Sequence, residues 1–163
     1  MDVNFLERYE IPSLESKGLL DILDIPGQGY FKARIIDNLT NAKLIVLLID
    51  SNDKDSIKQA GAYLYDILNN EQFDDTTPLI IACNKQDLKF PKSKKIIESD
   101  LNSEIESIKL MKQKNNLEDT SQMGALFSMR AKFNFNMFKN VYFVETDKTT
   151  GYQSLIKLID TLI

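Results

Sequence analysis

Hydrophobic and polar positions follow two periods along this 163-residue chain, one near two and one near three and a half residues. At the start, Val3, Phe5 and, less regularly, Tyr9 and Ile11 alternate with polar residues, the pattern of an edge strand. Gly18 to Asp24 (GLLDILD) forms a second strand, which Pro26-Gly27 stops. From Tyr30 to Leu39 the period changes: Phe31, Ile35, Ile36 and Leu39 fall on one side of a short helix. Lys43 to Asp50 (KLIVLLID) is continuously apolar, as in a parallel strand covered on both faces. Ser51-Asn52-Asp53 supplies helix-capping side chains. A helix from about Asp55 to Asn69 follows, with Ile57, Ala60, Leu64, Ile67 and Leu68 on its apolar face. Pro78 precedes a second buried strand, Leu79 to Cys83 (LIIAC). Ser93 opens a long amphipathic helix marked by Ile97, Leu101, Ile105 and Ile108. Asn115 to about Asn134 shows no clean period and reads as a long loop or insertion. Val141 to Glu145 is the last strand, and Gly151 opens a last helix carrying Leu155, Ile156, Ile159, Leu162 and Ile163 inward.

The order is β-β-α-β-α-β-α-β-α. An antiparallel opening pair followed by alternating units predicts an α/β fold, with a mainly parallel sheet and helices on both faces. The length suits a single domain over residues 1–163. A net charge of −4 leaves no basic surplus for a phosphate backbone, so nucleic acid is not the expected partner. The chain has no histidine, which excludes a histidine triad, zinc ligand or proton shuttle from it. Its single cysteine, Cys83, rules out an intrachain disulfide and reads as a small buried hydrophobe. No apolar run approaches the roughly 18 residues of a membrane span. The acidic N-terminus does not have the form of a signal peptide, so these residues alone are expected to be soluble.

Ligands of such sheets sit beyond the carboxyl ends of the strands. Asn84-Lys85-Gln86-Asp87 follows LIIAC directly, Asp24-Ile25-Pro26-Gly27 follows LLDIL, and Thr146-Asp147-Lys148 follows VYFVE. A carboxylate at Asp87 can accept from the N1–H and N2–H₂ of guanine, a donor pair adenine lacks. Asn84 would tie that loop to its neighbours and the base, and the stem of Lys85 would lie across the base. Thr146, Asp147 and Lys148 would complete the pocket with a backbone N–H toward the guanine O6. In Asp-x-x-Gly, Asp24 would hold Mg²⁺ through water, the Gly27 N–H would meet a γ-phosphate, and Gln28 would orient an attacking water. Each motif is short enough to arise by chance; their order and their place at strand ends give them weight. A strand-ending turn is the competing reading of Asp24, and a solvated loop carboxylate that of Asp87. Lys92, Lys94 and Lys95 read most simply as a solvated helix start, with a phosphate or headgroup patch as the sharper alternative.

Asp24-Ile-Pro-Gly27, the string Leu79-Ile-Ile-Ala-Cys-Asn-Lys-Gln-Asp-Leu88, the helix from Ser93 to Glu106, and Phe133-x-Phe135 together resemble the signal recognition particle receptor β-subunit family. That family consists of small GTPases related to the ADP-ribosylation-factor group, and the resemblance covers about Gly18 to Ile163. It implies a GTP-binding regulatory subunit, with GTP and Mg²⁺ as cofactors. It further implies recruitment of the receptor α subunit to the cytosolic face of the endoplasmic reticulum membrane for delivery of secretory proteins. The α subunit would meet the segment Gln28 to Lys32, with Tyr30 and Phe31 as anchors. The chain departs from the family pattern in having no Gly-x-x-x-x-Gly-Lys-Ser/Thr phosphate loop and none of the family's membrane anchor. Gln28 stands where His is frequent, and Thr146-Asp147-Lys148 where Ser-Ala-Lys is commoner. The expectation is a small-GTPase fold lacking its first strand and phosphate loop, with little or no nucleotide affinity of its own. A slot of roughly 9–10 Å would separate the Asp24 strand from the Leu44–Ile49 strand. A fragment and a short variant both fit, and two other classes stay open: a vesicle-traffic GTPase and a nucleotide-free scaffold.

Overall fold

A computed structural model describes residues 6–9, 20–114, 131–149 and 151–163, with side chains throughout except at 6–9, 20 and 30. Two strands open the chain, β1 (Leu6–Tyr9) and β2 (Leu20–Leu23). They pair antiparallel, with Leu6 opposite Leu23 and Tyr9 opposite Leu20. The other three strands, β3 (Ile45–Asp50), β4 (Leu79–Asn84) and β5 (Val141–Glu145), form a parallel sheet in the order β3-β4-β5. Helices α1 (Lys32–Asn38), α2 (Lys54–Leu68), α3 (Lys94–Lys114) and α4 (Gln153–Leu162) alternate with them. The element order is the one the hydrophobic pattern predicts. Single 3-10 turns at Gly29–Phe31 and Leu39–Asn41 flank α1 and shorten the expected helix at both ends. Among the described residues, β2 and β3 belong to separate sheets, which agrees with a break between them.

Strand β4 is the centre of the fold. Leu79, Ile80, Ile81, Ala82 and Cys83 are all fully buried. Alternation along the strand sends Leu79, Ile81 and Cys83 toward Ile57, Leu64, Ile97, Leu101 and Ile105 of α2 and α3. Ile80 and Ala82 face the other way, toward Val144 and Leu155. Helix α2 starts at Asp53, whose side chain accepts from the Asp55 N–H at 2.9 Å, as the capping residues predict. It runs close against α3 at Gly61, where a Cβ would lie 2.6 Å from Cγ of Glu104.

Strand β3 departs from its expected coverage on both faces. Ile49 is buried but Leu48 is 56% exposed. Ile45, Leu47 and Ile49 pack on the α2 side. On the opposite side the cluster built around α4 reaches Leu44 and Val46 and stops short of Leu48. Among the described residues β3 also has a hydrogen-bonded neighbour on one edge alone, β4.

Residues 115–130, most of the expected insertion, lie outside the described residues. Where the chain re-emerges it is strapped to α3. Lys109 Nζ donates to the Ala131 carbonyl at 2.8 Å, Phe133 N–H donates to Glu106 at 2.7 Å, and Phe135 N–H donates to Asn102 at 3.0 Å. Phe133 and Phe135, both buried, meet edge to face with centroids 5.1 Å apart. The polar side chains of one helical face thus satisfy the backbone of an irregular segment, which lets it be buried.

Candidate guanine-base site

Parallel pairing brings the ends of β3, β4 and β5 side by side. Asp50 is opposite Asn84, and Cys83 is opposite Glu145. The loops leaving those ends are cross-linked. The Thr146 hydroxyl donates to Asn84 Oδ1 at 3.2 Å, the Thr146 N–H donates to the Cys83 carbonyl at 3.0 Å, and the Gln86 N–H donates to the Thr146 carbonyl at 3.3 Å. Asn84, Lys85, Asp87, Thr146, Asp147 and Lys148 therefore gather on two adjoining loops, as their places in the sequence predict.

The Asp87 side chain is 14% exposed, and Lys148 Nζ stands 3.7 Å from it. That lysine is itself 82% exposed, so the sheltered carboxylate is paired with a solvent-facing cation. Asp147 is buried and accepts from the Thr149 N–H at 2.7 Å, so this acid caps its own loop. Because the Thr146 N–H is committed to Cys83, a donor toward a guanine O6 has to come from further along the loop.

Lys85 adopts a left-handed backbone, φ 64°, an uncommon conformation for a residue with a side chain. Its ammonium reaches Asp50 at 2.6 Å. Burial pushes the Asp50 carboxyl up, but the Lys85 hydrogen bond, the Asn52 N–H and the Lys85 charge outweigh it, and the net shift is below the ordinary value. The hydrogen bond to Asp50 and its charge hold Lys85 above the ordinary lysine range. Cys83, beneath the loop, is fully buried. Burial and the nearby Glu145 charge push its thiol up to about 12, which suits a packing residue and not a nucleophile.

Four contributors escaped the sequence reading. Asp50 holds Lys85, and a signal for it existed: it ends an apolar strand, as Asp24 and Asn84 do. Gln86, the variable position of Asn-Lys-x-Asp, donates to the Ser51 hydroxyl at 2.9 Å and the Lys92 carbonyl at 3.0 Å, joining three loops. Buried Ser51 donates its N–H to the Asn84 carbonyl at 3.0 Å. Glu145 accepts from the Lys94 N–H at 2.8 Å, capping α3 from the end of β5.

Asp24, Gly27 and Gln28 are exposed on the turn after β2, outside this cluster of loops. Tyr63 of α2 donates its hydroxyl to the Gly27 carbonyl at 2.9 Å and ties that turn to the helical layer. Among the described residues no group of three His, Cys, Asp or Glu side chains converges as a metal cage. Asp24 offers a single carboxylate, which fits a water-bridged ion and not a cage of protein ligands. The donor set at the ends of β4 and β5 fits a guanine base, whereas the described residues assemble no matching cradle for its phosphates. Phe31 is half-buried, and the Tyr30 side chain lies outside the described residues.

A family model described as the signal recognition particle receptor beta subunit matches residues 1–141. Signal recognition particle receptor subunit beta of Mus musculus is 27% identical over 139 residues, covering 81% of this chain and 52% of the mouse protein. The chain thus spans about half the length of the curated relative it matches. A solved structure titled as the mammalian SRP receptor superposes with a TM-score of 0.71 at 22% identity, covering 90% of this chain and 76% of that one. A Chaetomium thermophilum structure, titled as an SRb-GTP/SRX complex, does so with a TM-score of 0.69 at 21% identity, covering 89% and 67%. At those identities the two structures bear on the fold.

Proposed function

This chain belongs to the signal recognition particle receptor β-subunit family, and from that premise we propose that it supplies the guanine-reading half of a GTP-binding regulatory subunit. That subunit would recruit the receptor α subunit to the endoplasmic reticulum membrane for delivery of nascent secretory proteins. The observation that carries the reading is the pair of cross-linked loops, with Thr146 bonded to Asn84 and the sheltered Asp87 carboxylate beside Lys148. In this reading residues 1–163 form one GTPase-like domain with an insertion near 115–134. Asp87 reads the base, Asn84 and Thr146 fix its loop, and Lys85, Asp147 and Lys148 line the pocket. On the phosphate side, Asp24 serves Mg²⁺ through water, the Gly27 N–H serves a γ-phosphate and Gln28 serves the attacking water. When bound, GTP supplies a γ-phosphate whose presence or loss sets the conformation of the Gly27 turn. The α subunit then meets the neighbouring Gln28–Lys32 segment.

Because the chain holds no Gly-x-x-x-x-Gly-Lys sequence, its own affinity should be weak, with a dissociation constant well above about 1 μM. Saturation-transfer NMR with GTP, ATP and XTP tests the base assignment. GTP should give the strongest signal, and Asp87→Asn should move the preference toward XTP. Equal signals from GTP and ATP, unchanged by the substitution, would remove the guanine reading.

A further inference from the structure

The loop that leaves the base site and enters α3, Leu88 to Ile96 (LKFPKSKKI), carries four lysines and no acidic residue, in a chain of net charge −4. It also concentrates exposed apolar surface. Phe90 is 77% exposed, the highest value of any large hydrophobic among the described residues, and Leu88 and Ile96 are 41% and 51% exposed. These side chains stand on a fixed support. The Lys92 N–H donates to the Ser51 carbonyl at 3.0 Å, Gln86 donates to the Lys92 carbonyl at 3.0 Å, and Glu145 holds the Lys94 N–H. Lys89 Nζ lies 5.4 Å from the centroid of the Phe90 ring.

Three of the acidic groups near the loop are already engaged. Asp100 pairs with Lys92 at 2.5 Å, Asp87 faces Lys148, and Glu145 caps α3. Lys89, Lys94 and Lys95 are exposed, and no ion pair among the described residues involves them.

We propose that Leu88–Ile96 is a peripheral membrane contact that docks on anionic phospholipid headgroups. Charge complementarity selects the partner: a cluster of free cations faces a negative surface that extends beyond a single phosphate. The apolar residues distinguish lipid from nucleic acid. Phe90 can enter the interfacial layer with Leu88 and Ile96 beside it, while the lysine stems reach back to headgroup phosphates. Leucine and isoleucine offer an unstacked base no comparable platform. This surface does not depend on the guanine reading, because none of its exposed side chains belongs to the base pocket.

Vesicle flotation of the 163-residue chain tests the proposal. The chain should float with phosphatidylcholine vesicles containing roughly a third phosphatidylserine, stay behind with phosphatidylcholine alone, and be released by roughly half-molar salt. Joint substitution Lys94→Glu and Lys95→Glu should lower vesicle affinity about tenfold or more. Phe90→Ser should also lower it, with unchanged melting temperature. Lys89→Glu, which reverses an exposed charge beside the Phe90 ring, is the third variant and should weaken binding in the same direction. Fluorescence anisotropy with labelled single-stranded RNA supplies the competing partner. No flotation, equal flotation on neutral vesicles, indifference to all three variants, or tighter binding to RNA than to vesicles would each overturn the proposal.

Discussion

Strands β3 (IVLLID) and β4 (LIIACN) read almost alike, yet the fold treats them differently. Every residue from Leu79 to Cys83 is fully buried, while Leu48, in the middle of an equally apolar run, is 56% exposed. The difference comes from neighbours. Strand β4 has a parallel partner on each edge and helices over both faces. Strand β3 has one such partner among the described residues, and the α4 cluster covers its far face as far as Val46. An apolar run therefore specifies a strand fit to be buried. Its burial is decided by elements far away in sequence, which local pattern does not encode.

The largest contrast should appear in thiol chemistry. Cys83 is fully buried with its thiol pushed up to about 12, against about 8.5 for an ordinary cysteine. At neutral pH that difference alone cuts its thiolate population by about three orders of magnitude. A cysteine placed by Leu48→Cys in a Cys83→Ala chain should react with a disulfide reagent at a rate near that of a free thiol. Cys83 in the parent chain should react only as fast as the protein opens. Similar rates at the two positions would mean that β3 and β4 are equally accessible.

The same comparison can be made in stability. Ile81→Ala removes a fully buried side chain between α2 and α3 and should cost about 2–5 kcal/mol. Leu48→Ala should cost less than about 1 kcal/mol, as for a surface position. Urea titrations of both variants read this directly, and a loss at Leu48 as large as that at Ile81 would show that its exposed face is covered in solution. Between these two lies Gly61→Ala. The gain in helix propensity, about 1 kcal/mol, opposes the overpacking against Glu104, where the new Cβ would sit 2.6 Å from Cγ. Overpacking of that kind costs about 1–3 kcal/mol, so the net outcome should be a modest destabilisation, seen as a lower urea midpoint.

Much of this architecture was legible. The order of nine elements follows from changes of hydrophobic period, and the Asp53 cap follows from its side-chain chemistry. The meeting of the Asn84–Asp87 and Thr146–Lys148 loops follows from the rule that sites collect at strand ends. What stayed hidden depends on three-dimensional partners. The Tyr63–Gly27 bond joins residues 36 apart in sequence, and no periodicity marks it. Gln86 looked like a spacer because its side-chain acceptors, the Ser51 hydroxyl and the Lys92 carbonyl, lie on other segments. The Asn102, Glu106 and Lys109 side chains that strap Ala131 to Phe135 read as an ordinary polar helix face until the segment they hold is in place.

The smallest effect should come from the ion pair that joins the two compared strands at their ends, Asp50 of β3 and Lys85 just after β4. Its members are 23% and 52% exposed, so solvent and salt screen it. The folded Asp50 pKa lies below its unfolded value near 3.9. Its contribution to stability is therefore complete above about pH 4 and is lost as pH falls through the folded pKa, since the unfolded chain binds the proton first. Lys85 has the opposite sign. Its folded pKa lies above the unfolded value near 10.4, so its contribution is complete below about pH 10 and is lost as pH rises through the folded pKa. The stability difference between the parent chain and Asp50→Asn should accordingly stay flat from about pH 5 to pH 9 and shrink at both extremes. Added salt should reduce it throughout. Urea midpoints measured across that range, at low and high salt, give the profile. A difference that grows toward acid pH would mean that Asp50 is held by something other than Lys85 and the Asn52 N–H, and that the ends of β3 and β4 are joined by packing instead of charge.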